Sequence, residues 1–235
     1  MDGALVLLVA RTLLLIAGQA LVAAIYVTRG DPSPWTAAVP WWSVFWTVAD
    51  LGCLLLLAWF ARREGLGIAE LFGRVRLRWG HDILLGLGLW LVIFPAFLLA
   101  APLASVLVYG SLQPPAYPGL LLGRVLPTWA VIYSLVSIVL WSPTEETTYQ
   151  GYVLPRLEVL TGRPWAAVLL VGFWWAVQHC FVPLILDWRY VVWRFLGFLP
   201  GVILLMVAYR RIRRLSPLIV AHWPMDIAAV LMTLV

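Results

Sequence analysis

Seven apolar stretches, near residues 4–27, 41–61, 82–109, 126–152, 164–186, 190–209 and 215–235, alternate with short polar connections. About 20 apolar residues cross a bilayer as a helix, so each stretch predicts one transmembrane helix. The fold class that follows is all-α: a polytopic membrane helix bundle of about seven helices. None of the connections leaves room for a soluble domain, so residues 1–235 read as a single integral membrane domain. No internal repeat of the kind that builds two-halved transporters is visible. The longest polar connection, 62–81, contains Gly67-Ile-Ala-Glu-Leu-Phe-Gly73, which could form a short helix at the interface but reads first as a connector between two helices. Connections 28–40 and 110–124 hold Pro32, Pro34, Pro114, Pro115 and Pro118 and should be irregular and exposed.

Composition agrees with the pattern. With 63% hydrophobic and 11% charged residues and a mean hydropathy of +0.96, the chain has too little polar surface to coat a soluble globule. Tryptophans near the expected helix ends, among them Trp41, Trp42, Trp188 and Trp193, suit an interfacial belt. All 16 basic residues are arginine. If the N-terminus is cytoplasmic, eleven fall on inner loops (Arg62, Arg63, Arg74, Arg76, Arg78, Arg156, Arg163, Arg210, Arg211, Arg213, Arg214) and four on outer ones (Arg29, Arg124, Arg189, Arg194). This is the positive-inside asymmetry, and it makes the net charge of +5 a topology signal. No nucleic-acid partner is expected. The location expected is the cell (inner) membrane, and the absence of lysine and the small size point to a bacterial protein. Arg11 interrupts the first apolar run, so residues 1–27 read as a retained helix rather than a cleaved signal. Cys53 and Cys180 lie in different segments without metal-like spacing and read as small apolar fillers.

Ionisable residues inside the apolar stretches are costly and so point to function. Asp50 has no acidic or histidine neighbour at helical spacing and reads as a buried structural acid, for which Arg11 and Gln19 are candidate partners. The later set is different. Glu145 and Glu146 are adjacent, pointing about 100° apart on a helix, so the two need not share a role. Glu146 shares a face with Tyr149 and Gln150, and Pro143 upstream could open the helix. Trp175 and His179 are four apart, as are His222 and Asp226, which places each pair on one helical face. Two carboxylates and two imidazoles in an intramembrane cavity suit water activation or metal-assisted hydrolysis. A proton or ion relay uses the same residue types.

In this order, Glu145-Glu146-x-x-x-Gln150-Gly151, Trp175-x-x-x-His179 and His222-x-x-x-Asp226 resemble the three motifs of the CPBP family of intramembrane proteases. This is the CAAX protease and bacteriocin-processing group, also called Abi or Rce1-like. The run Gly151-Tyr-Val-Leu-Pro-Arg156 is similar to the family's continuation, and the resemblance covers roughly residues 125–235, the catalytic core helices. It implies an endopeptidase with its active site in an intramembrane cavity. Glu145 would activate water, His179 would help position it, and His222 and Asp226 would stabilise the oxyanion. Glu146 would be architectural, paired in the family with an arginine at the position held here by Gln150. Without that arginine, Glu146 is expected to donate a proton to the Gln150 amide. The usual final asparagine is Asp226, which can donate to an oxyanion only when protonated.

Glu145, His179, His222 and Asp226 are acceptable zinc ligands by type, but a metal-free, glutamate-type mechanism without a cofactor is the preferred expectation. The chain has no His-Glu-x-x-His, no Gly-x-Ser-x-Gly, and no flanking residues of the two-aspartate presenilin type around Asp50 or Asp226. The expected partners are the bilayer and a membrane-associated peptide or protein substrate, such as a leader, a quorum peptide or a C-terminal anchor. A proton-coupled transporter and a non-catalytic membrane scaffold are the alternatives.

Overall fold

A computed structural model describes residues 2–72, 78–114 and 126–233. The loop residues Arg74, Arg76, Arg124, Pro115, Pro118 and Gly73 lie outside the described set. Among the described residues, eight helices of eight or more residues run in chain order: α1 Asp2–Thr28, α2 Trp42–Arg63, α3 Trp79–Tyr109, α4 Thr128–Glu146, α5 Leu154–Thr161, α6 Pro164–Gln178, α7 Trp188–Ile212 and α8 Ser216–Thr233. The seven apolar stretches coincide with all of these except α5. Among the described residues, five helical stretches are long and apolar enough to cross a membrane: Asp2–Thr28, Pro34–Arg63, Trp79–Tyr109, Pro164–Phe181 and Trp188–Ile212. The chain is an integral, all-helical membrane protein.

Two of the seven apolar stretches, those of α4 and α8, fall outside that set for different reasons. In α8 the apolar part, Ser216–Leu231, is short. In α4 the serines, Thr144 and the glutamates that lower its hydropathy all lie on its buried face, while Trp129, Ile132, Val136 and Val139 are exposed. From Thr144 to Leu154 every residue is buried. Polar groups avoid lipid there by being inside protein, which is the arrangement a bilayer permits.

Several boundaries differ from the sequence pattern. The predicted segment 164–186 stays helical only to Phe181, the last residues as a 3₁₀ turn His179–Phe181, because Pro183 follows and α7 needs a new start at Asp187. That residue caps α7, its side chain accepting from the Arg189 N–H at 2.9 Å. The connection 28–40 is not wholly irregular: Pro34–Ala37 is a helical turn and Val39–Trp41 a 3₁₀ turn, with Ala38, Val39 and Pro40 buried. Between α2 and α3, within the connection 62–81, the only helical piece among the described residues is the single turn Ile68–Leu71. Beyond Glu146 the chain widens into a π-helix, Thr147–Val153, before α5.

Packing follows small residues and apolar faces. α1 lies along α2; α3 packs on α7 and α8; α4 sits between α2 and α8; α6 contacts α1 and α7. A side chain at Gly86 of α3 would come within 2.6 Å of the Pro217 carbonyl on α8, so only glycine lets these backbones approach. A large core gathers Leu7, Leu57, Tyr149, Tyr152, Trp175, Leu205 and Leu218, and a second gathers Leu15, Trp42, Phe45, Trp46 and Trp141. The motif residues lie where these two cores meet. Ion pairs at one end of the bundle join Glu64 to Arg156, Glu158 to Arg210 and Arg213, and Asp82 to Arg214.

Candidate active site

The π-helix sets the site's backbone. A π turn carries one extra residue and moves the following side chains off the α-helical face, and such turns occur often at functional sites. Tyr149, one residue inside it, stacks on Trp175 of α6, with ring centroids 5.2 Å apart and planes at 22°. Its hydroxyl donates to Gln178 Oε1 at 2.6 Å. The π segment is thereby clamped to the end of α6 that carries His179.

Two hydrogen-bonded chains meet here. In the first, Trp175 serves two motif residues at once. Its indole N–H donates to Glu145 Oε2 at 2.5 Å, and its carbonyl oxygen accepts from His179 Nδ1 at 2.8 Å. A carbonyl can only accept, so Nδ1 carries a proton and Nε2 is left for a ligand. The His179 ring stacks on Phe198 with centroids 4.0 Å apart. Arg194 fixes the same turn by donating to the carbonyls of His179 at 3.0 Å and Val182 at 2.6 Å.

In the second chain, His222 Nδ1 lies 3.0 Å from Glu146 Oε1. His222 Nε2 is 3.7 Å from Asp226 Oδ1, too long for a hydrogen bond. Asp226 Oδ2 instead accepts from the Ser142 hydroxyl at 2.5 Å. The bond expected between Glu146 and Gln150 is absent. Gln150 is buried with neither amide atom hydrogen-bonded among the described residues. The widened π turn at Thr147–Val153 takes residue 150 off the face that an α-helix would share with Glu146, and the imidazole of His222 takes its place.

Arg11 completes the cluster from α1. Its Nε donates to Asp50 Oδ1 at 2.7 Å, and its Nη1 pairs with Glu145 Oε1. The pairing of Arg11 with Asp50 matches the partner expected from the sequence. Gln19 does not take part: it brackets Leu184 through the backbone oxygen and nitrogen, at 2.9 and 2.7 Å. The contact from Arg11 to Glu145 has no local signal, since 134 positions separate the two residues. Cys53 and Cys180 are free and buried.

A cavity of about 380 Å³ opens onto these groups. His179, His222 and Asp226 line it, with Trp46, Phe97 and Phe198 among its apolar walls. Glu145 and Glu146 do not line it. They lie behind Trp175 and His222, which do, and both are buried, Glu145 at 1% exposure. Among the described residues, no three His, Cys, Asp or Glu side chains are disposed to hold one metal ion. The four zinc-type residues instead divide between the two chains, and Glu145 turns toward Arg11 and Trp175.

Residues 127–228, which include every motif position, match the family profile described as type II CAAX prenyl endopeptidase Rce1-like. Over these residues, less than half of the chain, the protein is similar to the Rce1-like family. The matched family is one of CAAX-type peptide hydrolases, and the long apolar helices make this chain an integral membrane protein. No curated protein and no solved structure matches the chain. The Rce1-like segment holds Glu145, Glu146, His179, His222 and Asp226, whereas Arg11 and Asp50 come from α1 and α2, outside it.

Proposed function

We propose that this Rce1-like protein hydrolyses a peptide bond in or near the bilayer by glutamate-activated water. The observation that carries the reading is the linkage of Glu145 and His179 through one residue, Trp175, beside a cavity that His179 lines. A carboxylate offers about four acceptor sites on its two oxygens. Arg11 and Trp175 occupy one on each, so Glu145 keeps the capacity to accept a proton from water.

In this reading, water held by His179 Nε2 and Glu145 attacks the scissile carbonyl carbon as its proton passes to Glu145. The carbonyl π electrons move to oxygen, and the oxyanion forms on the side of His222 and Asp226. Doubly protonated His222 donates from Nδ1 to Glu146 and keeps its Nε2–H for that oxyanion. Asp226 assists when protonated. Collapse of the tetrahedral intermediate breaks the C–N bond, and the proton on Glu145 goes to the leaving amine. General base chemistry of this kind contributes roughly 10²–10⁴-fold to rate. The four zinc-type side chains do not form one ligand set, and no step of this route runs through a metal.

The substrate class is a membrane-associated peptide or protein, and the apolar cavity walls favour an apolar segment. Leader, quorum-peptide or C-terminal anchor processing in a bacterial inner membrane is the specific form proposed, with residues 125–235 as the catalytic core. A cytoplasmic N-terminus is supported by the arginines paired at one end, Arg156, Arg210, Arg213 and Arg214. The test compares terminal peptides of membrane and secreted proteins from cells carrying wild type or Glu145→Gln at equal abundance. New termini confined to wild type support the reading. Identical termini in both would overturn it in favour of a scaffold, and Glu145-dependent acidification of proteoliposomes without cleavage would favour transport.

A further inference from the structure

Among the described residues Arg11 is the only fully buried arginine, at 0% exposure. A guanidinium costs several kcal/mol to place within a membrane, so its contacts are informative. Its Nε and Nη2 both face Asp50 Oδ1, at 2.7 and 2.5 Å, while Nη1 turns to Glu145 Oε1. The Trp46 ring lies 5.1 Å from the guanidinium carbon and supports it from a third side. Asp50 Oδ2 has no hydrogen-bond partner among the described residues, so the interactions of Asp50 converge on Arg11. Gln150, buried and without a hydrogen-bond partner among those residues, brings no charge to either glutamate.

We infer that Arg11 is a positioning residue for Glu145, anchored by Asp50 and acting with Trp175. Donors on opposite oxygens fix the plane of the Glu145 carboxylate, because rotation about its last bond breaks one of them. The first helix thus supplies the cation that aligns the proposed base, although it lies outside the segment that matches the family. The inference rests on the hydrolytic reading for its consequence, while the contact itself can be tested separately.

An arginine needed only to neutralise Asp50 becomes dispensable once Asp50 is neutral. The full chain carrying Arg11→Met together with Asp50→Asn removes both charges, and its yield of wild-type-dependent termini is timed after induction. A fall of roughly tenfold or more in folded, membrane-inserted protein is the expected result. Wild-type yield would overturn the positioning role. The second measurement is difference infrared spectroscopy on protein labelled with ¹³C-glutamate, the Glu145 band being identified by its loss in Glu145→Gln. Arg11→Lys should shift that band, since an ammonium cannot reproduce the guanidinium geometry, and an unshifted band would overturn the contact. This readout decides the matter even where the double variant fails to fold or no new termini appear with wild type.

Discussion

Two groups of ion pairs in this protein use similar residues in opposite settings. At one end of the bundle Glu64 meets Arg156, and Glu158 meets Arg210 and Arg213, with side chains 14–48% exposed. In the middle, Arg11, Asp50 and Glu145 are at 0–1%. Exposed pairs are screened and contribute about 0–1 kcal/mol each. Breaking a buried pair leaves an uncompensated charge and costs about 3–5 kcal/mol. The outer group therefore closes loops and follows topology, whereas the inner group is retained at a cost that the proposed chemistry explains.

The sharpest way to break this contrast is Arg11→Met alone, which strands two carboxylates. Thermal unfolding of the purified protein should show a loss of about 3–5 kcal/mol, and a change below 1 kcal/mol would place the inner group in the same energetic class as the outer one. Trp175→Phe keeps the ring stacked on Tyr149 but removes the N–H donor to Glu145. A hydrogen bond to a charged group is worth about 1.5–3 kcal/mol, so a roughly 10- to 100-fold loss of cleavage is expected if the bond acts in the transition state. Tyr149→Phe removes the hydroxyl that reaches Gln178, with an expected destabilisation of about 1 kcal/mol in the same unfolding measurement.

The smallest effect belongs to the outer group. Hydrogen bonding from Arg156 holds the Glu64 carboxyl below its ordinary value. A depressed folded-state value means that the stabilisation is present above the unfolded pKa and is lost as pH falls through the folded one. With Glu64 38% exposed, Glu64→Gln should cost less than about 1 kcal/mol at neutral pH. Its unfolding curve should converge with that of wild type in acid, and high salt should shrink the difference further.

The two regions also differ in how far they could be read from sequence. The helices were legible because lipid enforces long apolar runs, and the motif residues stood out as charges within those runs. For Asp50 the sequence offered two partners, Arg11 and Gln19, and packing selects Arg11, the cation of the first run. The link from Arg11 to Glu145 was not legible, since it depends on how α1, α2 and α4 pack. The π-helix was hidden as well, because Thr147–Val153 carries no residue that demands a wide turn. That turn misdirected the expectation for Gln150, whose register with Glu146 holds only on an α-helix. Ser142 and Gln178, partners of Asp226 and Tyr149, are ordinary polar residues whose roles arise from packing alone.

The most direct test of the central claim uses purified protein in lipid vesicles and a peptide spanning a cut site defined in cells. The reaction is run in water enriched in ¹⁸O, and the new C-terminus is followed by mass spectrometry. Wild type should produce a C-terminal carboxylate bearing one solvent oxygen, and Glu145→Gln, folded and inserted, should be slower by about 10²–10⁴-fold. Cleavage by Glu145→Gln at the wild-type rate would contradict the account.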